Sequence, residues 1–160
     1  MSSCCCPGET DEGGASRCPA SGSVGSPVDR LTVKALLTES ALRRLSAREY
    51  RFCPEAGCDV VYFSADGEPF TTADVRVPVW QKLPFGDRPI CYCFGESEGS
   101  IRSEVAACGA SKAVERVREH IAAERCACDV RNPRGACCLG DVIAAVKRVE
   151  GSVETARMVR

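Results

Sequence analysis

Cysteine spacing constrains this chain more than any other feature. Cys91-Tyr92-Cys93 is followed by Cys126-Ala127-Cys128 and then by Asn132-Pro133-Arg134-Gly135-Ala136-Cys137-Cys138. Thirteen of the 160 residues are cysteine, and most stand in tight groups rather than singly as buried apolar thiols do. Grouped thiols read as metal ligands. Soft thiolate sulfur selects zinc, copper(I) and iron-sulfur clusters. Because His120 is the one histidine, Rieske centres and imidazole-rich zinc sites are excluded.

The first residues, Met1-Ser2-Ser3-Cys4-Cys5-Cys6-Pro7, carry no basic flank and no apolar run of export-signal length, so a cytoplasmic protein is expected. Disulfides seldom persist there, and clustered thiols point to metal rather than to a disulfide scaffold. An aromatic content of 6% does not promise a large apolar core, and metal binding would supply folding free energy that the core lacks. The net charge is -1 with basic and acidic residues interleaved, which disfavours a nucleic-acid partner. No segment reaches the apolar length of a membrane span. There is no phosphate-binding glycine loop and no serine-nucleophile motif, so the chain is not expected to be an enzyme beyond a cluster-dependent reduction of metal ions.

Residues 1–29 are rich in Gly, Ser and Pro and read mainly as a flexible arm, with order beginning near Cys18. Leu31 to Leu37 starts β-branched and apolar, and Thr38 caps a short helix running to Leu45. Tyr50-Arg51-Phe52-Cys53 and Val60-Val61-Tyr62-Phe63 flank Pro54-Glu55-Ala56-Gly57, which predicts a hairpin whose turn lies at Cys53 and Cys58. Val75, Val77 and Val79 alternate as a third strand ending at Trp80, and Pro84, Gly86 and Pro89 mark a boundary. Two helices follow, Glu98 to Cys108 and a segment carrying Ala113, Val114, Val117 and Ile121, separated by Gly109. A last helix runs from Leu139 to Val149, and residues 151–160 are expected to fray.

Two metal sites emerge. Cys53 and Cys58 form a slightly wide zinc knuckle, with Cys18 as the natural third thiolate. Zinc wants a fourth ligand, yet Ser21 stands where a second cysteine would follow Cys18. One thiol of the arm, Cys4, Cys5 or Cys6 (here Cys6), closes the tetrahedron, or the position goes to water or another residue. The second site is a two-iron, two-sulfide cluster, which needs two thiolates per iron. Cys91 and Cys93 in extended chain would point to one face and capture one iron. The turn at Asn132-Pro133-Arg134-Gly135 would bring Cys128 and one of Cys137 or Cys138 to a shared iron. His120 reads as a solvated residue, and Trp80 and Phe85 as packing at the domain junction.

Residues 90–149 resemble the two-iron ferredoxin domain of the bacterioferritin-associated type. The joined pattern FCPEAGCDVVYF, ICYCF and CDVRNPRGACCLGDV resembles, over about residues 17–150, the N-terminal region of the CopZ-type copper chaperones. That resemblance implies an α+β architecture: a zinc ribbon-like β lobe over residues 18–88 and a helical ferredoxin domain over 89–150, flanked by the arm at 1–17 and the tail at 151–160. It implies Cys91, Cys93 and Cys128 as cluster ligands, the fourth from Cys137 or Cys138, and Cys126 as an extra thiol. The family's Met-x-Cys-x-x-Cys motif does not occur in these residues.

The implied activity is one-electron transfer to a redox partner protein in copper or other soft-metal handling, with reduction of copper(II) to copper(I). Two alternatives stand beside it. One is a soft-metal scavenger or chaperone using Cys4, Cys5, Cys6 and Cys126; the other is a non-redox interaction module whose metals are wholly structural.

Overall fold

The computed structural model describes residues 16–160, so Cys4, Cys5 and Cys6 lie outside the described residues. Strand β1 (Ser26–Val28) leads into helix α1 (Arg30–Leu36), where a strand-like start is expected. The Asp29 carboxylate accepts a hydrogen bond from the Leu31 N–H at 2.7 Å and caps the helix. Thr32, Val33 and Leu36 are buried along α1. Burial of that face outweighs the weak helix preference of Thr and Val. Thr38 caps α2 (Glu39–Leu42) as predicted, its hydroxyl accepting from the Ala41 N–H.

The predicted hairpin is present as β2 (Tyr50–Phe52) and β3 (Val60–Phe63), antiparallel, with Arg51 opposite Phe63 and Phe52 opposite Tyr62. β4 (Phe70–Thr71) completes a four-stranded sheet in the order β1-β2-β3-β4. The expected strand from Val75 to Val79 is absent; Val75 makes only an isolated bridge to Leu37. Val75 and Val79 are buried in the core and Val77 is packed against it, so the alternation records burial rather than strand pairing. Pro78 in this run has no N–H to give a ladder.

A two-stranded hairpin, β5 (Pro89–Cys91) with β6 (Glu96–Ser97), opens the second part of the chain. Ser97 caps α3 (Glu98–Cys108), Gly109 ends it in the left-handed conformation, and α4 (Ala113–Ala122) follows, both helices where the sequence predicts them. After the single turn α5 (Cys128–Arg131), α6 (Leu139–Met158) packs against α3 and α4 around Ile90, Ile101, Val105, Val117, Val142 and Val146. The expected frayed tail is helix instead. Val153 packs against this core, and Ser152 and Thr155 donate to the carbonyls of Arg148 and Gly151 within the last turns.

The buried apolar side chains of the sheet lobe run from Val28 to Val79, and those of the helical part from Ile90 to Val146. Between them Arg88 is buried and bonds both oxygens of buried Glu98, at 2.8 and 2.5 Å, while Arg148 bonds Glu98 at 2.9 Å. Phe85, expected as junction packing, is 82% exposed, with the Arg88 guanidinium 4.4 Å from its ring centre. Among the described residues no helix is long and apolar enough to cross a membrane.

Candidate metal centres

The sheet lobe gathers three thiols at its end. Cys18 sits in a tight loop closed by Gly22 N–H to Cys18 O at 2.8 Å and Cys18 N–H to Ser23 O at 2.9 Å. Cys53 follows β2, and Cys58 precedes β3 in a turn closed by its own N–H on Glu55 O. The three buried Sγ atoms all lie within 4.8 Å of one another, with Cys18 and Cys58 3.8 Å apart. Two thiolates about 2.3 Å from one tetrahedral zinc stand about 3.8 Å from each other, so the donor set fits that metal.

Backbone N–H groups of Ser21 and Ala20 face the Cys18 sulfur, and that of Val60 faces Cys58. Such donors stabilise thiolate over thiol. Burial alone would raise the Cys18 thiol, but hydrogen bonds from Ser21, Ala20 and Cys53 outweigh it and bring it to about 7. Cys58 stays raised, chiefly by burial. Cys6, the arm residue expected to close this site, lies outside the described residues. Ser21 instead reaches it, with Oγ 3.5 Å from Cys53 Sγ.

The second group is assembled from both ends of the helical part. Cys91 ends β5, Cys93 lies in the turn closed by Gly95 N–H on Cys91 O, Cys128 opens α5 and Cys138 precedes α6. Cys93 and Cys128 stand 3.7 Å apart, close to the spacing of two thiolates on one tetrahedral metal, and Cys138 hydrogen-bonds Cys91. The close contacts thus run between loops, Cys93 with Cys128 and Cys91 with Cys138, where the sequence expects Cys91 beside Cys93 and Cys128 beside one of Cys137 or Cys138. The chain turns at residues 92–95 instead of staying extended, and each thiol takes its partner from the other loop. Cys138 is 2% exposed and in contact with Cys91, whereas Cys137 and Cys126 are exposed. The fourth thiol at this group is therefore Cys138.

Here too backbone N–H groups point at sulfur: Phe94 and Cys93 at Cys91, Ala127 at Cys93 at 3.3 Å, and Cys138 at Cys128. Donors of this kind tune iron-sulfur centres. The hydrogen bond from Cys138, against the opposing effect of burial, brings the Cys91 thiol down to about 6. Burial pushes Cys128 up to about 12, and Cys138, which donates to Cys91, is raised further still. A bound metal ion would stabilise the thiolate forms of Cys128 and Cys138, which burial and the neighbouring thiols disfavour.

The loop that carries Cys138 is locked by Asn132, which sequence reading placed only in a turn. Its side chain is buried, donating to Ala136 O at 2.8 Å and accepting from the Arg134 N–H at 3.1 Å. Gly135 takes φ +68°, and a Cβ there would come within 2.8 Å of Thr32 Oγ1 on α1. Tyr62, from β3, donates its hydroxyl to Pro133 O at 2.6 Å and fastens this loop to the sheet. His120, read as solvated, is half-buried and stacks on Phe94 with ring centres 4.0 Å apart. Asn before Pro was the one local signal for the loop bracket; the Tyr62 and Phe94 contacts are long-range and left none.

Residues 15–76 match a CopZ-type family described as a zinc binding domain. The chain is 31% identical over 144 residues to the copper chaperone CopZ of Archaeoglobus fulgidus, covering 84% of this chain and 68% of that protein. The X-ray structure of the Archaeoglobus fulgidus CopZ N-terminal domain superposes with a TM-score of 0.67 at 30% identity, covering 80% of this chain and 95% of that one.

Proposed function

The chain belongs to the family of the copper chaperone CopZ, and from that premise we propose that it is a zinc- and iron-sulfur-binding electron carrier in copper or other soft-metal handling. It is a metal-handling protein and not an enzyme. We divide it into an arm at 1–17, a zinc lobe at 18–88, a cluster domain of the bacterioferritin-associated ferredoxin type at 89–150, and the remainder of α6. Cys18, Cys53 and Cys58 hold zinc, and Cys91, Cys93, Cys128 and Cys138 hold a two-iron, two-sulfide cluster.

The observation that carries the cluster reading is the pairing of four thiols from two loops, with backbone N–H groups already aimed at three of the sulfurs. When bound, such a cluster supplies one electron at a time, enough to turn copper(II) into copper(I), the form thiolates prefer. The chain's own part is to hold the sulfurs in two pairs, keep Cys91 and Cys138 out of water, and leave Cys126 and Cys137 at the surface beside them. A redox partner protein and the copper ion would approach that side.

Protein purified without oxygen should be red-brown, contain about two irons and two sulfides per chain, and give a paramagnetic resonance signal after one-electron reduction. Colourless protein that holds zinc alone would overturn the redox reading. The exposed Cys126 and Cys137 support a second reading, a soft-metal carrier, in which Cys126→Ser with Cys137→Ser abolishes copper(I) binding while the cluster spectrum stays intact.

A further inference from the structure

A structural zinc site normally closes its tetrahedron with four protein ligands. Among the described residues, the sulfurs of Cys18, Cys53 and Cys58 form a group that no carboxylate oxygen or histidine nitrogen joins within 4.8 Å. A side-chain oxygen is supplied there by Ser21. Its Oγ is 3.5 Å from Cys53 Sγ and also hydrogen-bonds Cys18. An oxygen ligand at 2.0 to 2.2 Å and a thiolate at 2.3 Å on one tetrahedral zinc stand about 3.5 to 3.7 Å apart. The Cys18 to Cys58 distance of 3.8 Å meets the matching value for two thiolates. The hydroxyl therefore stands at the distance from Cys53 that a fourth ligand would have, and within hydrogen-bond reach of Cys18. Ser23 N–H, 3.3 Å from Ser21 Oγ, orients it, and the Gly22 N–H on Cys18 O closes the loop that carries both residues.

We propose that Ser21 Oγ is the fourth zinc ligand of this chain, and that its position at the surface makes the fourth site displaceable by an incoming thiolate. This rests on the zinc-binding reading of the lobe. A neutral hydroxyl is a weak ligand beside three thiolates, and Ser21 is exposed while the three cysteines are buried. A thiol that enters does so as the anion, releasing its proton to solvent, while Ser21 leaves as the neutral alcohol. No electron changes hands. The ligand class is thus a small thiol or the cysteine of a partner.

The test is cobalt(II) substitution of the full chain carrying Cys91→Ser, Cys93→Ser, Cys128→Ser and Cys138→Ser, so that the second thiol group takes no cobalt and this background is the native reference below, read by its visible spectrum with 2-mercaptoethanol as the added thiol. The native protein should show sulfur-to-cobalt intensity for three thiolates. Ser21→Cys should raise that intensity by about one third, as a fourth thiolate joins three. Adding 2-mercaptoethanol should raise the native spectrum in the same way and leave Ser21→Cys unchanged. Ser21→Ala, at an exposed position, should keep its circular dichroism yet lose zinc to a chelator about tenfold faster. A native spectrum already at the four-thiolate level and lowered by Cys4→Ser, Cys5→Ser and Cys6→Ser together would place the ligand in the arm and overturn the proposal. So would a Ser21→Cys spectrum identical to the native one, or Ser21→Ala zinc loss at the native rate. Failure of the native chain to bind cobalt or zinc at all would instead overturn the zinc reading beneath it.

Discussion

Glu98 is buried and held by two guanidinium groups, and its chemistry sets an acid limit on stability. The hydrogen bond from Arg88, against the opposing effect of burial and with help from Arg148, holds its carboxyl down at about 2. A depressed carboxyl adds stability that is present above its ordinary value of about 4.3 and is lost as pH falls through about 2. Glu98→Gln should therefore cost roughly 3 kcal/mol at pH 7 by urea denaturation, because buried Arg88 and the exposed Arg148 lose their partner. Its gap to the native protein should close between about pH 4 and pH 2; a gap that stays constant would show that packing rather than charge is responsible. Asn132→Ala, which strips two hydrogen bonds from a buried side chain, should cost about 1 to 3 kcal/mol and lower the iron bound per purified chain. Neither role is legible from spacing. Arg88 and Glu98 meet across a hairpin, and the sequence around Asn132 announces a turn without showing that its amide is buried.

At the scale of elements, segments with a strong local pattern were readable and those shaped by distant packing were not. The β2–β3 hairpin follows from two aromatic, β-branched runs around Pro54 and Gly57, and α3 and α4 from apolar residues recurring every three or four positions. α1 reads falsely as strand because Thr32 and Val33 favour extended chain until Leu36 and the Asp29 cap pull them into a buried helical face. The tail of α6 reads as frayed because its one core residue, Val153, is surrounded by polar ones. Deleting residues 151–160 should lower the thermal midpoint by a few degrees, as expected when a packed turn of helix is lost from a chain of this size. A frayed segment would leave the midpoint where it is. Gly135→Ala should destabilise by at least about 1 kcal/mol in the same assay, since φ +68° disfavours a side chain and Thr32 stands in the way. The thiol groups illustrate the same division. Spacing groups Cys18 with Cys53 and Cys58, whose sulfurs the structure brings together, but not the contacts of Cys93 with Cys128 and of Cys91 with Cys138, because side-chain direction after β5 depends on the turn at 92–95.

For the whole molecule, α1 packs on α5 and Lys82 Nζ donates to Glu55 O, so the loops of the two thiol groups lie against shared structure. The link with the clearest chemistry is Tyr62. Its ring belongs to the sheet that ends in Cys53 and Cys58, and its hydroxyl grips the carbonyl of Pro133, five residues before Cys138. Tyr62→Phe keeps the ring and removes the grip, and iron should then pass to a chelator faster while zinc content stays unchanged. Equal iron release from both proteins would show that the two halves act alone. On the proposed two-metal reading the same phenol would give maturation an order: a cell short of zinc would assemble a polypeptide that retains iron poorly, so scarcity of one nutrient would be felt as loss of the other.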